Sequence, residues 1–165
     1  MTDARSRLIV ALDVPDRQAA VSCVKMLSGH VGCFKVGLEI FVREGPRVVE
    51  EILGLGESVF LDLKLHDIPN TVAGAVRSAC RMGIRMLTIH ASGGPEMMKA
   101  ARSATDSCPS PPVLLAVTAL TSISPAEARR IGLGRSLPAW VERLAGLALE
   151  SGIQGLVASA LEVAQ

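Results

Sequence analysis

Short apolar runs recur along the chain at 8–14, 32–38, 58–65, 85–91, 112–120 and 155–160. They are near-continuously hydrophobic rather than alternating, the pattern of parallel strands covered on both faces. The segments between them have helical spacing. Residues 16–28 place Ala19, Ala20, Cys23, Val24 and Leu27 on one face, and 46–54 do the same with Val48, Val49, Ile52 and Leu53. Residues 71–82 carry Val72, Ala75, Val76, Ala79 and Cys80 at that spacing, and 138–150 predict an amphipathic helix around Trp140, Leu144 and Leu147. Pro69-Asn70 and the Gly93-Gly94-Pro95 turn mark helix starts. "CPSPP" (108–112) reads as a loop, and 121–138 as a longer connection with a short helix at 125–131.

Repeated βα units build either an open doubly wound sheet or a (β/α)8 barrel. No G-x-G-x-x-G follows a strand, which weakens the dinucleotide-binding alternative. A barrel places functional polar residues at the C-terminal ends of its strands. Asp13, Lys35, Asp62, Lys64, His90 and Thr118 to Ser122 fall at such ends. The expectation is therefore an α/β chain of the (β/α)8 TIM barrel family, with about six βα units forming one partial domain over residues 1–165. A closed barrel needs eight.

The stretch "VFLDLKLHDIPNT" (59–71) places charges in the most apolar of these runs. Alternation along a strand puts Phe60, Asp62 and Lys64 on one face and Leu61, Leu63 and Leu65 on the other. If the leucines pack under the helices, Asp62 and Lys64 face the barrel mouth. The chain has 13 Arg but four Lys, and two of those lysines, Lys35 and Lys64, lie inside predicted strands. A lysine there suits a compact ammonium able to donate a proton. A single Asp–Lys pair could be structural. Five charges (Asp13, Lys35, Asp62, Lys64, Asp67) on three consecutive strand ends would cost several kcal/mol to bury for structure alone, so an active site is the better account.

Composition narrows the partners. The chain is 49% hydrophobic with 2% aromatic residues and a formal charge of +1, and its mean hydropathy is +0.39. A large core is available, and nothing indicates nucleic acid or an anionic membrane as partner. No apolar run reaches transmembrane length, and the N-terminal one is too short for a signal sequence, so a cytoplasmic protein is expected. Cys23, Cys33, Cys80 and Cys108 show no C-x-x-C spacing, and the first three read as reduced core residues. His66 and His90 suit structural or supporting roles, His30 a surface turn, and the "EARR" run (127–130) a solvated helix face.

"FLDLKLHDIPNTV" resembles the signature of the orotidine 5′-phosphate decarboxylase family, D-x-K-x-x-D-I-P-N-T. "IVALDV", "FKVGLE", "TIHASGG" and "AVTALTS" also match that family, in order, from about residue 7 onward. The resemblance implies decarboxylation of orotidine 5′-monophosphate to UMP in pyrimidine biosynthesis. Lys64 would protonate C6, Asp62 would lie against the substrate carboxylate, and Asp67 would complete the catalytic set. Asp13 and Lys35 would hold ribose hydroxyls, with Ile68 as a further substrate contact and Thr121 and Ser122 at the pyrimidine. Asp67 and Thr71 would reach the partner subunit's site in a homodimer. No metal and no cofactor is implied, and the ligand is a small nucleotide. The family's phosphate-binding Gln and Arg cannot be assigned here. A C-terminally truncated chain, poorly active and prone to aggregate, is therefore expected. Two alternatives stand beside this: a magnesium-dependent sugar-phosphate decarboxylase or aldolase of the wider suprafamily, and a non-catalytic nucleotide-binding barrel fragment.

Overall fold

The computed structural model describes residues 4–134 and 136–162. Residue 135 of the predicted 121–138 connection and the ends of the expected 1–165 domain lie outside them. Along the chain run β1 (Ile9–Ala11), α1 (Arg17–Leu27), β2 (Cys33–Gly37), α2 (Leu38–Glu44), α3 (Pro46–Gly54) and β3 (Val59–Leu65). There follow α4 (Pro69–Cys80), β4 (Met86–His90), α5 (Gly94–Thr105), β5 (Val113–Val117), α6 (Pro125–Arg130), α7 (Leu137–Glu150) and β6 (Gly155–Val157). The strands form one parallel sheet in the order β1-β2-β3-β4-β5-β6, each beside its neighbour in sequence. Six parallel strands of a TIM-type barrel, the first five each followed by α-helix, are therefore present among the described residues, as expected.

Local chemistry sets the helix starts. Asp16 accepts the Ala19 N–H at 2.8 Å to cap α1. Ser124 and Glu127 form a reciprocal capping box on α6, and proline occupies the first turn of α3 through α7. The two Ser124 hydrogen bonds hold the Glu127 carboxyl below its ordinary range. One helix has no counterpart in the sequence reading. α2 begins directly at the end of β2, so no loop or turn residue marks its start. Gly45, with φ 65°, then turns the chain from α2 into α3, a conformation glycine adopts at little cost.

The core lies between the sheet and its helices. Phe34, Leu61, Leu87, Ile89 and Leu114 from the strands are fully buried, as are Val24, Ile52, Val76, Met97 and Met98 from the helices. Each such side chain contributes about 1.5–3 kcal/mol by leaving water. The outer strands differ: among the described residues β1 pairs with β2 alone and β6 with β5 alone. Ile9 and Leu156 at these edges are more than a third exposed. No helix of the described residues is long and apolar enough to cross a membrane.

One expectation about cysteine is corrected. Cys80 is joined to Cys108, with Cα atoms 5.8 Å apart. α4 packs along α5, which brings the last residue of α4 to the turn after α5. A separation of 28 residues gives no hint of that meeting. Cys23 and Cys33 are free, and burial pushes the Cys33 thiol up to about 11.

Candidate active site

The strand ends carry an alternating row of charges. Lys35, in β2, places its Nζ 3.7 Å from Asp13 Oδ1 just past β1 and 3.7 Å from Asp62 Oδ2 in β3. Lys64 Nζ lies 2.8 Å from the same Asp62 oxygen. The order in space is Asp13, Lys35, Asp62, Lys64, negative and positive in turn. Asp62 is the buried member at 8% exposure, while both lysines remain partly open to solvent. The register explains how Lys35 reaches the row. Gly37 stands beside Asp62 in the sheet, and Lys35 is two residues below it. A methyl at Gly37 would meet Lys35 Nζ at 3.5 Å, an ordinary contact distance, so Gly37 lies directly beside the ammonium. These four residues and Gly37 line a polar cavity of about 200 Å³.

Strand alternation brings Asp62 and Lys64 together less simply than expected. β3 pairs with β4 through Leu61↔Leu87 and then Leu65↔Ile89, so four steps on β3 face two on β4. Two residues are in excess, an even number, and Leu65 therefore returns to the face of Leu61. Within this bulge Lys64 has φ 50°, the sole non-glycine residue with positive φ among those described. Left-handed backbone at a lysine is strained, and such strain clusters at functional sites.

Thr88, fully buried in β4, lies across from the bulge. Its hydroxyl donates to Asp62 Oδ1 at 2.9 Å and accepts the Lys64 N–H at 2.8 Å. The sequence reading passed over it; the available signal was one polar residue inside "RMLTIHA". The same is true of a ring contact between His66 and His90, whose centroids are 5.2 Å apart. Burial first, then the neighbouring His66 and Lys64 charges, hold His90 below the ordinary imidazole range. Its Nδ1 is buried without a hydrogen-bond partner among the described residues. His90 also lines a second, more apolar cavity of about 370 Å³ with Thr118, Ile123, Leu137 and Trp140.

The remaining candidates stand apart from the charge row. Asp67, Ile68 and Thr71 lie exposed at the start of α4, and Asp67 Oδ1 accepts the Ile68 N–H at 2.6 Å. Among the described residues Asp67 forms no ion pair. Thr121 and Ser122 are exposed in the turn after β5 and line neither cavity. Among the described residues no group of three or more His, Cys, Asp or Glu could hold a metal ion.

The chain matches the family model described as "Orotidine 5'-phosphate decarboxylase / HUMPS family" over residues 6–165. It is 46% identical over 158 residues to the orotidine 5′-phosphate decarboxylase of Dichelobacter nodosus, covering 96% of this chain and 69% of that one. It is 50% identical over 161 residues to the Alkalilimnicola ehrlichii enzyme of the same name, covering 98% and 68%. The crystal structure of orotidine 5′-phosphate decarboxylase from Lactobacillus acidophilus superposes with a TM-score of 0.85 at 38% identity, covering 94% of this chain and 72% of that one. A charge row at the ends of six parallel strands, with this match over nearly the whole sequence, places the chain in the orotidine 5′-phosphate decarboxylase / HUMPS family.

Proposed function

We propose that this protein is a carboxy-lyase of pyrimidine biosynthesis that converts orotidine 5′-monophosphate to UMP without a metal. The observation that carries this reading is the Asp13–Lys35–Asp62–Lys64 row, with Lys64 Nζ held 2.8 Å from Asp62 Oδ2. The bond from C6 to the carboxylate breaks, carbon dioxide leaves, and the electron pair stays on C6. Asp62, anchored by two ammoniums and a hydroxyl, presents fixed negative charge to the substrate carboxylate. That repulsion disappears as carbon dioxide departs. The Lys64 ammonium is attracted to the pair developing on C6 and then gives it a proton. Lys64 recovers its proton from water. Charges already in place stabilise the transition state more than the ground state.

Asp13 and Lys35 bind the ribose hydroxyls. Ile68 is a further substrate contact, and Thr121 and Ser122 contact the pyrimidine. Asp67 and Thr71, exposed at the head of α4, reach into the site of a second subunit, so the working unit is a homodimer in the cytoplasm. The sugar-phosphate alternative needs a divalent cation between carboxylates. Here the Lys35 ammonium stands between Asp13 and Asp62 at 3.7 Å from each, which disfavours that ion by charge and by space.

Formation of UMP from orotidine 5′-monophosphate, assayed with EDTA present and with Lys64→Ala as control, tests the reading. Turnover that survives EDTA and is lost in the variant supports it. Activity that requires added magnesium, or nucleotide binding by calorimetry with no turnover, overturns it.

A further inference from the structure

We infer that Thr88 is a positioning residue for the catalytic pair, setting the orientation of both Asp62 and Lys64 through one hydroxyl. The inference rests on the proposed roles of those two residues, but its geometric half stands independently of them. A threonine hydroxyl has one proton to give. At 2.9 Å from Asp62 Oδ1 that proton goes to the carboxylate, which leaves the hydroxyl oxygen free to accept the Lys64 N–H at 2.8 Å. Both bonds are therefore polarised in one direction, from the Lys64 amide through Thr88 to Asp62.

The consequence for Asp62 is rotational. With Oδ1 held by Thr88, Oδ2 is the oxygen turned to Lys64 and Lys35, at 2.8 and 3.7 Å. Without the hydroxyl the carboxylate could turn about its terminal torsion, which is broad and nearly two-fold, and share both oxygens between the lysines. The consequence for Lys64 is conformational. Its left-handed backbone, φ 50°, costs free energy that surrounding contacts must offset. A buried hydrogen bond to its own amide is such a contact, and it fixes the base of the side chain whose tip delivers the proton. Thr88 is at 0% exposure, so no water takes the place of either bond at the surface. Its position across from the two-residue bulge is what lets one side chain serve both partners.

Thr88→Val keeps the shape and removes the hydroxyl; Thr88→Ser keeps the hydroxyl. In Thr88→Val, kcat for UMP formation should fall on the order of 10- to 100-fold, the usual cost of losing a supporting hydrogen bond or of a small misplacement, while KM stays nearly constant. Thr88→Ser should recover most of kcat. Amide hydrogen exchange read by NMR should show the Lys64 N–H exchanging faster in Thr88→Val than in wild type, with slow exchange regained in Thr88→Ser. Unchanged kcat in Thr88→Val, a loss shared equally by the valine and serine variants, or a rise confined to KM would overturn the positioning role. Unchanged exchange at Lys64 would overturn its geometric basis. Should wild type itself fail to turn over orotidine 5′-monophosphate, the proposed reaction falls, and the exchange comparison alone decides the geometry.

Discussion

Lys64 reaches Asp62 across 2.8 Å from a backbone that has left the strand conformation, with φ 50°. The two residues lie two apart on one strand, within the stretch where its pairing with β4 is irregular. The strain at Lys64 belongs to the site, because it aims the ammonium that the proposed chemistry uses.

That strain can be measured. Glycine occupies positive φ freely, whereas alanine there costs roughly 1–2 kcal/mol. Lys64→Gly should therefore exceed Lys64→Ala in unfolding free energy, by about 1 kcal/mol after allowing for glycine's larger unfolded-state entropy. Both variants should lose UMP formation. Equal urea midpoints, or a less stable glycine variant, would show that the position is not strained.

Removing Asp62 should cost stability as well as activity. Asp62→Ala leaves Lys35 and Lys64 without their shared counter-charge and Thr88 without its acceptor. Because both lysines are partly solvated, the loss should be about 1–3 kcal/mol, short of that for a fully buried pair. Chemical denaturation of the variant, compared with Thr88→Val, measures it. A change below half a kilocalorie would mean that solvent already compensates the row.

His90 gives stability a pH dependence with a defined sign. Its proton affinity is lowered in the native state from an ordinary value of 6.5 by burial, then by the His66 and Lys64 charges, with Asp62 acting in the opposite sense. Above 6.5 the ring is neutral in both folded and unfolded chains. As the pH falls below 6.5 the unfolded chain takes up the proton that the native ring resists, and stability falls. The urea midpoint should drop through this window. His90→Gln should flatten the drop, and NMR titration of His90 in His66→Ala should move toward the ordinary value. A flat wild-type profile between pH 7 and 5 would remove His90 from the account.

The bond between Cys80 and Cys108 closes a loop whose ends are 28 residues apart. On the chain-entropy model such a closure stabilises by roughly 3–4 kcal/mol. Cys108→Ser, or the wild-type chain under reductant, should melt at lower temperature. An identical melting curve with and without reductant would mean that this bond contributes nothing in solution.

Much of this was legible in the sequence because apolar runs and strand-end charges carry direct physical signatures. The apolar runs mark all six strands of the described residues, and each run is a residue or more longer than its strand, because the apolar character extends into the loops. β1 shows this, at Ile9–Ala11 within a run of 8–14. Asp13, Lys35, Asp62 and Lys64 were picked out because charge in a buried strand is costly, and the structure gathers them into one row. What escaped detection depended on contacts between elements. Thr88 is unremarkable until β4 lies opposite the bulge of β3, and Cys80 gains a partner once α4 lies along α5. α2 was hidden because nothing polar separates it from β2. Thr71 rests on the motif alone, whereas Asp67, Thr121 and Ser122 were also marked as polar residues at strand ends; within the chain none of the four joins the row.

The sheet order has a further consequence for how the site is made. Each strand pairs with the one synthesised just before it, so no strand must wait for a distant partner. Asp13, Lys35, Asp62, Lys64 and Thr88 all lie within the first 90 residues, on or beside the first four strands. Contacts between elements close in sequence cost little loop-closure entropy and form quickly. The opposed charges, and the hydroxyl that orders them, are thus brought together by short-range pairings alone, without a strand from the far end of the chain.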